Sequence, residues 1–218
     1  MKIGYLFFPV WKRRVLYDIL LFRMSLEKWV MSEKRPIITV TGAEEYKEDM
    51  EQIQEKLTKQ GCIVVSIGDY GREPLAMRMD KIDLAEELFV INPIWKIEET
   101  TWSDICYARM AGKDVSSLES LSYREIQDKE NDFLFQAEGL AQKQLEMAQH
   151  NDYLDKGDFV SFSYKGHTIY DPWIREDMQG EPFAWNLHED LKAGVNPFEY
   201  YGKKTVARFI VECVEKNQ

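Results

Sequence analysis

Cysteine and histidine are scarce in this chain, three of each in 218 residues. Cys62, Cys106 and Cys213 show no CxxC spacing, and His150, His167 and His188 are dispersed. Neither a zinc site nor a disulfide framework has the ligand spacing it needs. An odd number of cysteines inside apolar or helical patterns reads as buried thiols in a reducing, cytoplasmic compartment. No metal and no organic cofactor are expected. Also missing is any segment approaching the ~20 apolar residues that a membrane span requires. A basic excess is missing too: the formal net charge is −10, which argues against nucleic acid or an anionic membrane as the main partner. Internal repeats and low-complexity stretches are absent.

The average charge hides an asymmetry. Residues 1–35 hold eight Lys/Arg against three Asp/Glu, so the remainder carries −15. Lys12-Arg13-Arg14 lies between two apolar runs, the reverse of a signal peptide, whose charges precede one such run. The segment reads as a basic N-terminal helix packed on the domain. A basic amphipathic helix on a membrane or partner, or a natural translation start at Met24 or Met31, are the alternatives.

From Ile37 to Val115 the chain alternates short apolar runs with helical patterns. Ile37-Ile38-Thr39-Val40-Thr41-Gly42, Cys62-Ile63-Val64-Val65-Ser66 and Leu88-Phe89-Val90-Ile91-Asn92 read as strands, and Lys113 to Leu118 as a weaker fourth. Continuously apolar strands separated by helices predict an α/β fold: a flavodoxin/Rossmann-like parallel sheet of about four or five strands with flanking helices. The first helix, Glu44 to Gln60, carries Tyr46, Met50, Ile53 and Leu57 on one face and ends at Gly61, a left-handed cap position. Arg72 to Arg78 reads as a loop entering a helix over Asp80 to Glu87. Trp102 to Ala111 reads as an amphipathic helix capped by Gly112.

Beyond this core (36–118), residues 119–150 predict a long helix from Tyr123 to His150, weakest at Gly139. A helix of that length needs a surface to pack on, and a homodimer or higher homo-oligomer supplies one economically. Residues 151–218 read as a small C-terminal α+β appendage. It has a hairpin turning at Lys165-Gly166, an aromatic loop region, and a helix from Thr205 to Val214 with Val206, Phe209, Ile210 and Cys213 on one face. Tyr170-Asp171-Pro172-Trp173 and His188-Glu189-Asp190 contain reactive residue types but no triad or metal set.

Ligands of parallel sheets bind beyond the carboxyl ends of the strands. That rule points to the segments after Gly42, after Gly68-Asp69-Tyr70 and after Asn92. Trp95 is the best-placed ring for stacking a base, a contact of about 1–3 kcal/mol. Glu98 and Glu99 suit the hydroxyls of a ribose, and read equally well as solvated loop charges. Asp83 and Glu86 precede the third strand, at the end away from the crevice, and read as structural.

The central block, about Pro36 to Val115, resembles the nucleoside 2-deoxyribosyltransferase-like superfamily. The resemblance rests on Gly42 after the first strand, the Ser66-Ile67-Gly68 turn, the run Lys81-Ile82-Asp83-Leu84-Ala85-Glu86-Glu87-Leu88-Phe89-Val90-Ile91-Asn92, and Thr101-Trp102-Ser103-Asp104-Ile105-Cys106-Tyr107-Ala108. It implies a flavodoxin-like enzyme that cleaves or transfers the N-glycosidic bond of a nucleoside or nucleotide. Asp104, three residues before Tyr107-Ala108, matches the family's catalytic carboxylate, which attacks the anomeric carbon. Gly42, Gly68, Asp69, Trp95, Glu98 and Glu99 become the substrate-binding candidates. Two departures stand out. The family's usual nucleophile is glutamate, one methylene longer than Asp104. Many relatives carry Gly-Ser-Thr-Arg where this chain has Gly42-Ala43-Glu44-Glu45, and two carboxylates at a helix start repel a phosphate. An uncharged nucleoside is therefore the expected ligand. The alternative is a non-catalytic nucleotide-derivative sensor or interaction protein on the same fold.

Overall fold

The computed structural model describes residues 35–68, 73–94, 96–150, 160–170, 189–200 and 202–215. The expected N-terminal helix, apart from Arg35, and the aromatic region around Trp173 and Trp185 lie outside these residues, as do the site candidates Asp69 and Trp95.

The sheet has four parallel strands in the order β2-β1-β3-β4: β1 Ile37–Gly42, β2 Ile63–Ser66, β3 Glu87–Ile91 and β4 Asp114–Ser117. The chain passes from β1 outward to β2, then returns across β1 to β3. Strand direction of travel therefore reverses between β1 and β3, the position where α/β sheets open a crevice.

Side-chain alternation divides the two faces. Ile38, Val40, Phe89 and Ile91 meet Met50 and Leu57 of α1 (Lys47–Lys59) on one face. Leu88 and Val90 point to the other, under Met79 and Ile82 of α2 (Leu75–Leu84) and Ile105 of α3 (Glu99–Met110). Thr39 and Thr41 share that second face, fully buried, and each hydroxyl finds a partner: Thr39 donates to the Lys81 carbonyl at 2.7 Å and Thr41 to Asp104 at 2.8 Å. The predicted glycine caps form: Gly61 and Gly112 hold φ of 91° and 80°, conformations that side chains resist.

Two expectations shift. α2 begins at Leu75, so the stretch read as a loop up to Arg78 is already helical. And α3 is not amphipathic, because every residue from Thr101 to Ala108 is buried. The reason is a third layer. α4 (Tyr123–His150), the hairpin β5 (Ser161–Tyr164) and β6 (His167–Tyr170), and α5 (Gly202–Glu215) cover α3's outer side. A helix enclosed between two layers has no solvent face on which to place polar residues.

The described parts of residues 151–218 thus do not stand apart as an appendage. Phe162, Ile169, Val206, Ile210 and Val214 belong to the same core cluster as Ile105 and Leu88. α4 likewise buries Phe133, Leu134, Ala137 and Ala141 within the chain, which removes the packing argument for a dimer. α4 runs unbroken through Gly139, which lies on its exposed side. Lys165 and Gly166 both take positive φ, 47° and 83°, the pair a two-residue hairpin turn requires. No described helix is long and apolar enough to cross a membrane.

Candidate functional site

Three elements deliver polar side chains to the carboxyl edge of the sheet. β1 brings Thr41 at its last turn of alternation, α2 brings Arg78 in its first turn, and α3 brings Asp104 in its second. All three are buried, Arg78 at 2 % and Asp104 at 3 % exposure. Arg78 donates to Asp104 Oδ1 through Nε at 2.9 Å and Nη2 at 2.7 Å. Thr41 Oγ1 donates to Oδ2 at 2.8 Å. Nη2 also reaches the Thr100 carbonyl at 2.8 Å and Glu215 Oε1, from α5, at 3.4 Å.

Burial pushes the Asp104 carboxyl up to about 6, against the opposing pull of the Arg78 guanidinium and the Thr41 hydroxyl. Burial works against the Arg78 charge as well, but Asp104 and Glu215 overcome it and hold the guanidinium above its ordinary value. At neutral pH the pair is therefore ionic. A carboxylate has about four acceptor sites. Oδ1 gives two of its sites to Arg78. Oδ2 gives one to Thr41, and its second lone pair is taken by no described residue. Of the two oxygens, Oδ2 is the one not held by Arg78.

Comparison with protein-family models, curated proteins and solved structures returns no match.

The remaining candidates separate. Gly42 is needed for packing: a Cβ there would lie 3.0 Å from Ile91 Cβ and 3.1 Å from the Ile91 carbonyl oxygen. Its missing side chain accommodates β3 and not a ligand. The Gly68 amide is already engaged, donating to Glu73 Oε2 at 3.0 Å. Glu73 in turn pairs with Lys81 at 2.5 Å, and Lys81 also donates to the Ser66 carbonyl at 2.8 Å. Together these contacts tie the end of β2 to Glu73 and Lys81. Glu99 is exposed and turns outward to Lys129 of α4, 3.2 Å away. Glu98 stays half-buried at the start of α3. Burial, the Glu45 carboxylate and the charges of Glu98 and Asp49 push the Tyr46 phenol upward. Lys96 crosses from the β3 loop to Glu45 at 3.1 Å, so one of the two loop carboxylates is paired.

Asp83 and Glu86 take the structural roles expected. Asp83 accepts from Tyr107 Oη at 2.8 Å and pairs with Lys204 at 2.8 Å, and Glu86 accepts from the Ile37 amide at 2.6 Å. Asn92 closes the end of β3 by exchanging two hydrogen bonds with the Glu119 backbone, each 2.9 Å.

Thr41, Arg78 and Glu215 were not singled out from the sequence. A signal existed for two of them. Arg78 follows Leu75 and precedes Ile82 at spacings of three and four, on the apolar face of α2. Thr41 places a second hydroxyl, after Thr39, on one face of a strand whose other face is Ile38 and Val40. Glu215 carried no such mark.

Proposed function

We propose that this chain cleaves or transfers the N-glycosidic bond of an uncharged nucleoside, with Asp104 Oδ2 as the nucleophile. The observation that carries this reading is the position of Asp104. The one carboxylate matched by the family resemblance lies buried at the carboxyl edge beside the β1/β3 reversal, ionised, with one oxygen clamped and the other partly free. Clamping Oδ1 through two Arg78 nitrogens fixes the side-chain rotamer and aims Oδ2, the pre-organisation that near-attack geometry demands. Glu98, half-buried at the head of α3, serves as the sugar contact in place of the outward Glu99. Glu44 and Glu45 disfavour a 5′-phosphate, even with Lys96 beside one of them. The burial of Cys62, Cys106 and Cys213 outside any disulfide supports a reducing, cytoplasmic setting.

A second reading has its own support. An attacking oxygen must come within about 3–3.5 Å of the anomeric carbon, and Asp104 is only 3 % exposed. A carboxylate so enclosed also suits an ion pair that stiffens a binding site for a nucleoside derivative without cleaving it. Incubation with nucleosides, deoxynucleosides, their 5′-monophosphates and NAD, with and without an acceptor base, separates the two readings. Release of free base by the wild type and its loss in Asp104→Ala supports the enzyme. Thermal stabilisation by a nucleoside without base release supports the binding protein. Undiminished turnover by Asp104→Ala refutes the proposed nucleophile.

A further inference from the structure

Cleaving an N-glycosidic bond needs more than a nucleophile, since the departing base needs a proton and the acceptor must later lose one. Around the Asp104–Arg78 pair, one other carboxylate among the described residues touches the same guanidinium. Glu215 Oε1 lies 3.4 Å from Arg78 Nη2, the nitrogen that sits 2.7 Å from Asp104 Oδ1. Two oxygens held by one nitrogen lie no further apart than those distances laid end to end, about 6 Å, so Arg78 brings the two carboxylates together at one edge of the sheet. Glu215 is also the more open of the two, with its side chain 20 % exposed against 3 % for Asp104. It ends α5, whose buried Val206, Ile210 and Val214 anchor it to the core, so its placement is set by packing.

Resting on the glycosidic reading above, we propose that Glu215 is the general acid and base of the reaction, coupled to Asp104 through Arg78. In the first step the C1′–N bond breaks and Oδ2 of Asp104 forms a C1′–O ester. The electron pair of the broken bond leaves with the base, which takes the proton of Glu215. In the second step the Glu215 carboxylate accepts a proton from water, or from the N–H of an acceptor base. The freed oxygen or nitrogen bonds to C1′, and Asp104 departs as a carboxylate. With water as acceptor the net change is consumption of one water. Arg78 Nη2, in contact with both carboxylates, links the two residues through the cycle.

The test compares a purine nucleoside with its N7-methylated form, whose base departs without needing a proton, in wild type and Glu215→Gln. Loss of general acid assistance lowers kcat/KM by about 10²–10⁴-fold on the unmodified nucleoside. On the N7-methylated one kcat/KM stays within about tenfold, since no proton is required. There the slowed second step yields a burst of free base equal to the enzyme present and a sugar ester on Asp104 visible by mass spectrometry. Equal loss on both substrates, with no burst, overturns the acid–base role and leaves the Asp104 reading intact. A wild type inactive on both overturns the glycosidic reading and this role with it. Glu215→Asp, which keeps the carboxyl one methylene further back, restores part of the lost kcat/KM if the group transfers protons and none if it serves only as a contact for Arg78.

Discussion

Replacing Arg78 by Met isolates what the buried ion pair contributes. The variant keeps an unbranched side chain of similar length in α2 but withdraws both nitrogens from Asp104 Oδ1, leaving the carboxylate with only the Thr41 hydroxyl. Asp104 is 3 % exposed, so water cannot replace the guanidinium without opening the site. Breaking a buried pair by removing one partner costs about 3–5 kcal/mol, most of it the uncompensated charge. At roughly 2–4 °C per kcal/mol for a chain of this size, the melting temperature falls on the order of 10 °C. Urea unfolding followed by circular dichroism at pH 8 and pH 5 measures the effect. The sign with pH follows from where the proton sits. Burial already raises the Asp104 carboxyl to about 6 in the presence of Arg78, and loss of the guanidinium raises it further. A carboxyl raised above its unfolded value favours the folded state at low pH and loses that advantage as pH rises through the folded value. The Arg78→Met deficit is therefore largest at pH 8 and shrinks at pH 5, where Asp104 is neutral. Adding Asp104→Leu removes the stranded charge and recovers most of the loss. A cost under about 1 kcal/mol at pH 8 would refute the reasoning, since breaking a buried pair should cost several times that. So would a deficit that is the same at both pH values.

Three further outcomes follow from the same geometry. On the proposed mechanism base release uses the Asp104 carboxylate, so its rate falls with acid along a limb near pH 6, while the Asp104 contribution to stability runs the other way between 3.8 and about 6; Asp104→Asn removes that contribution from the stability profile measured by thermal melts. Gly42→Ala forces a methyl to 3.0 Å from Ile91 Cβ and costs about 1–3 kcal/mol in urea unfolding, although its backbone conformation suits any residue. Glu130, 3 % exposed, holds Arg109 at 3.2 Å and Lys165 at 2.7 Å, so Glu130→Ala costs about 1–3 kcal/mol and speeds amide exchange in the β5–β6 hairpin ahead of the sheet.

The legible parts of this fold are those that repeat along the chain. The α1 stripe of Met50, Ile53 and Leu57, the glycines at 61 and 112, and the Lys165-Gly166 turn each state their conformation within a few residues. α3 does not, because its burial on all sides comes from α4, the hairpin and α5, which arrive later in the sequence. The site is opaque for a related reason. Asp104 could be singled out from its neighbours, but its partners lie 63, 26 and, through Arg78 to Glu215, 137 residues apart. Topology brings them together and no local pattern announces it. The glycines misled in the opposite direction. Gly42 and Gly68 occupy strand ends where ligands approach in related folds, yet Ile91 fills the space beside one and Glu73 takes the amide of the other.

What the sequence did carry was a set of local misfits: Thr41 beside Thr39 on one face of a buried strand, Arg78 on the apolar side of α2, Asp104 within a helix whose neighbours are Ile105 and Cys106. A polar group directed into a core must find a partner there or cost several kcal/mol. Misfits at the carboxyl edge of one parallel sheet are therefore not independent. A hydroxyl, a guanidinium and a carboxylate, each on an element ending or beginning at that edge, satisfy one another with nothing left over on Oδ1. Oδ2, which accepts from Thr41 alone among the described residues, is then the oxygen to which the proposed reaction assigns the attack on C1′.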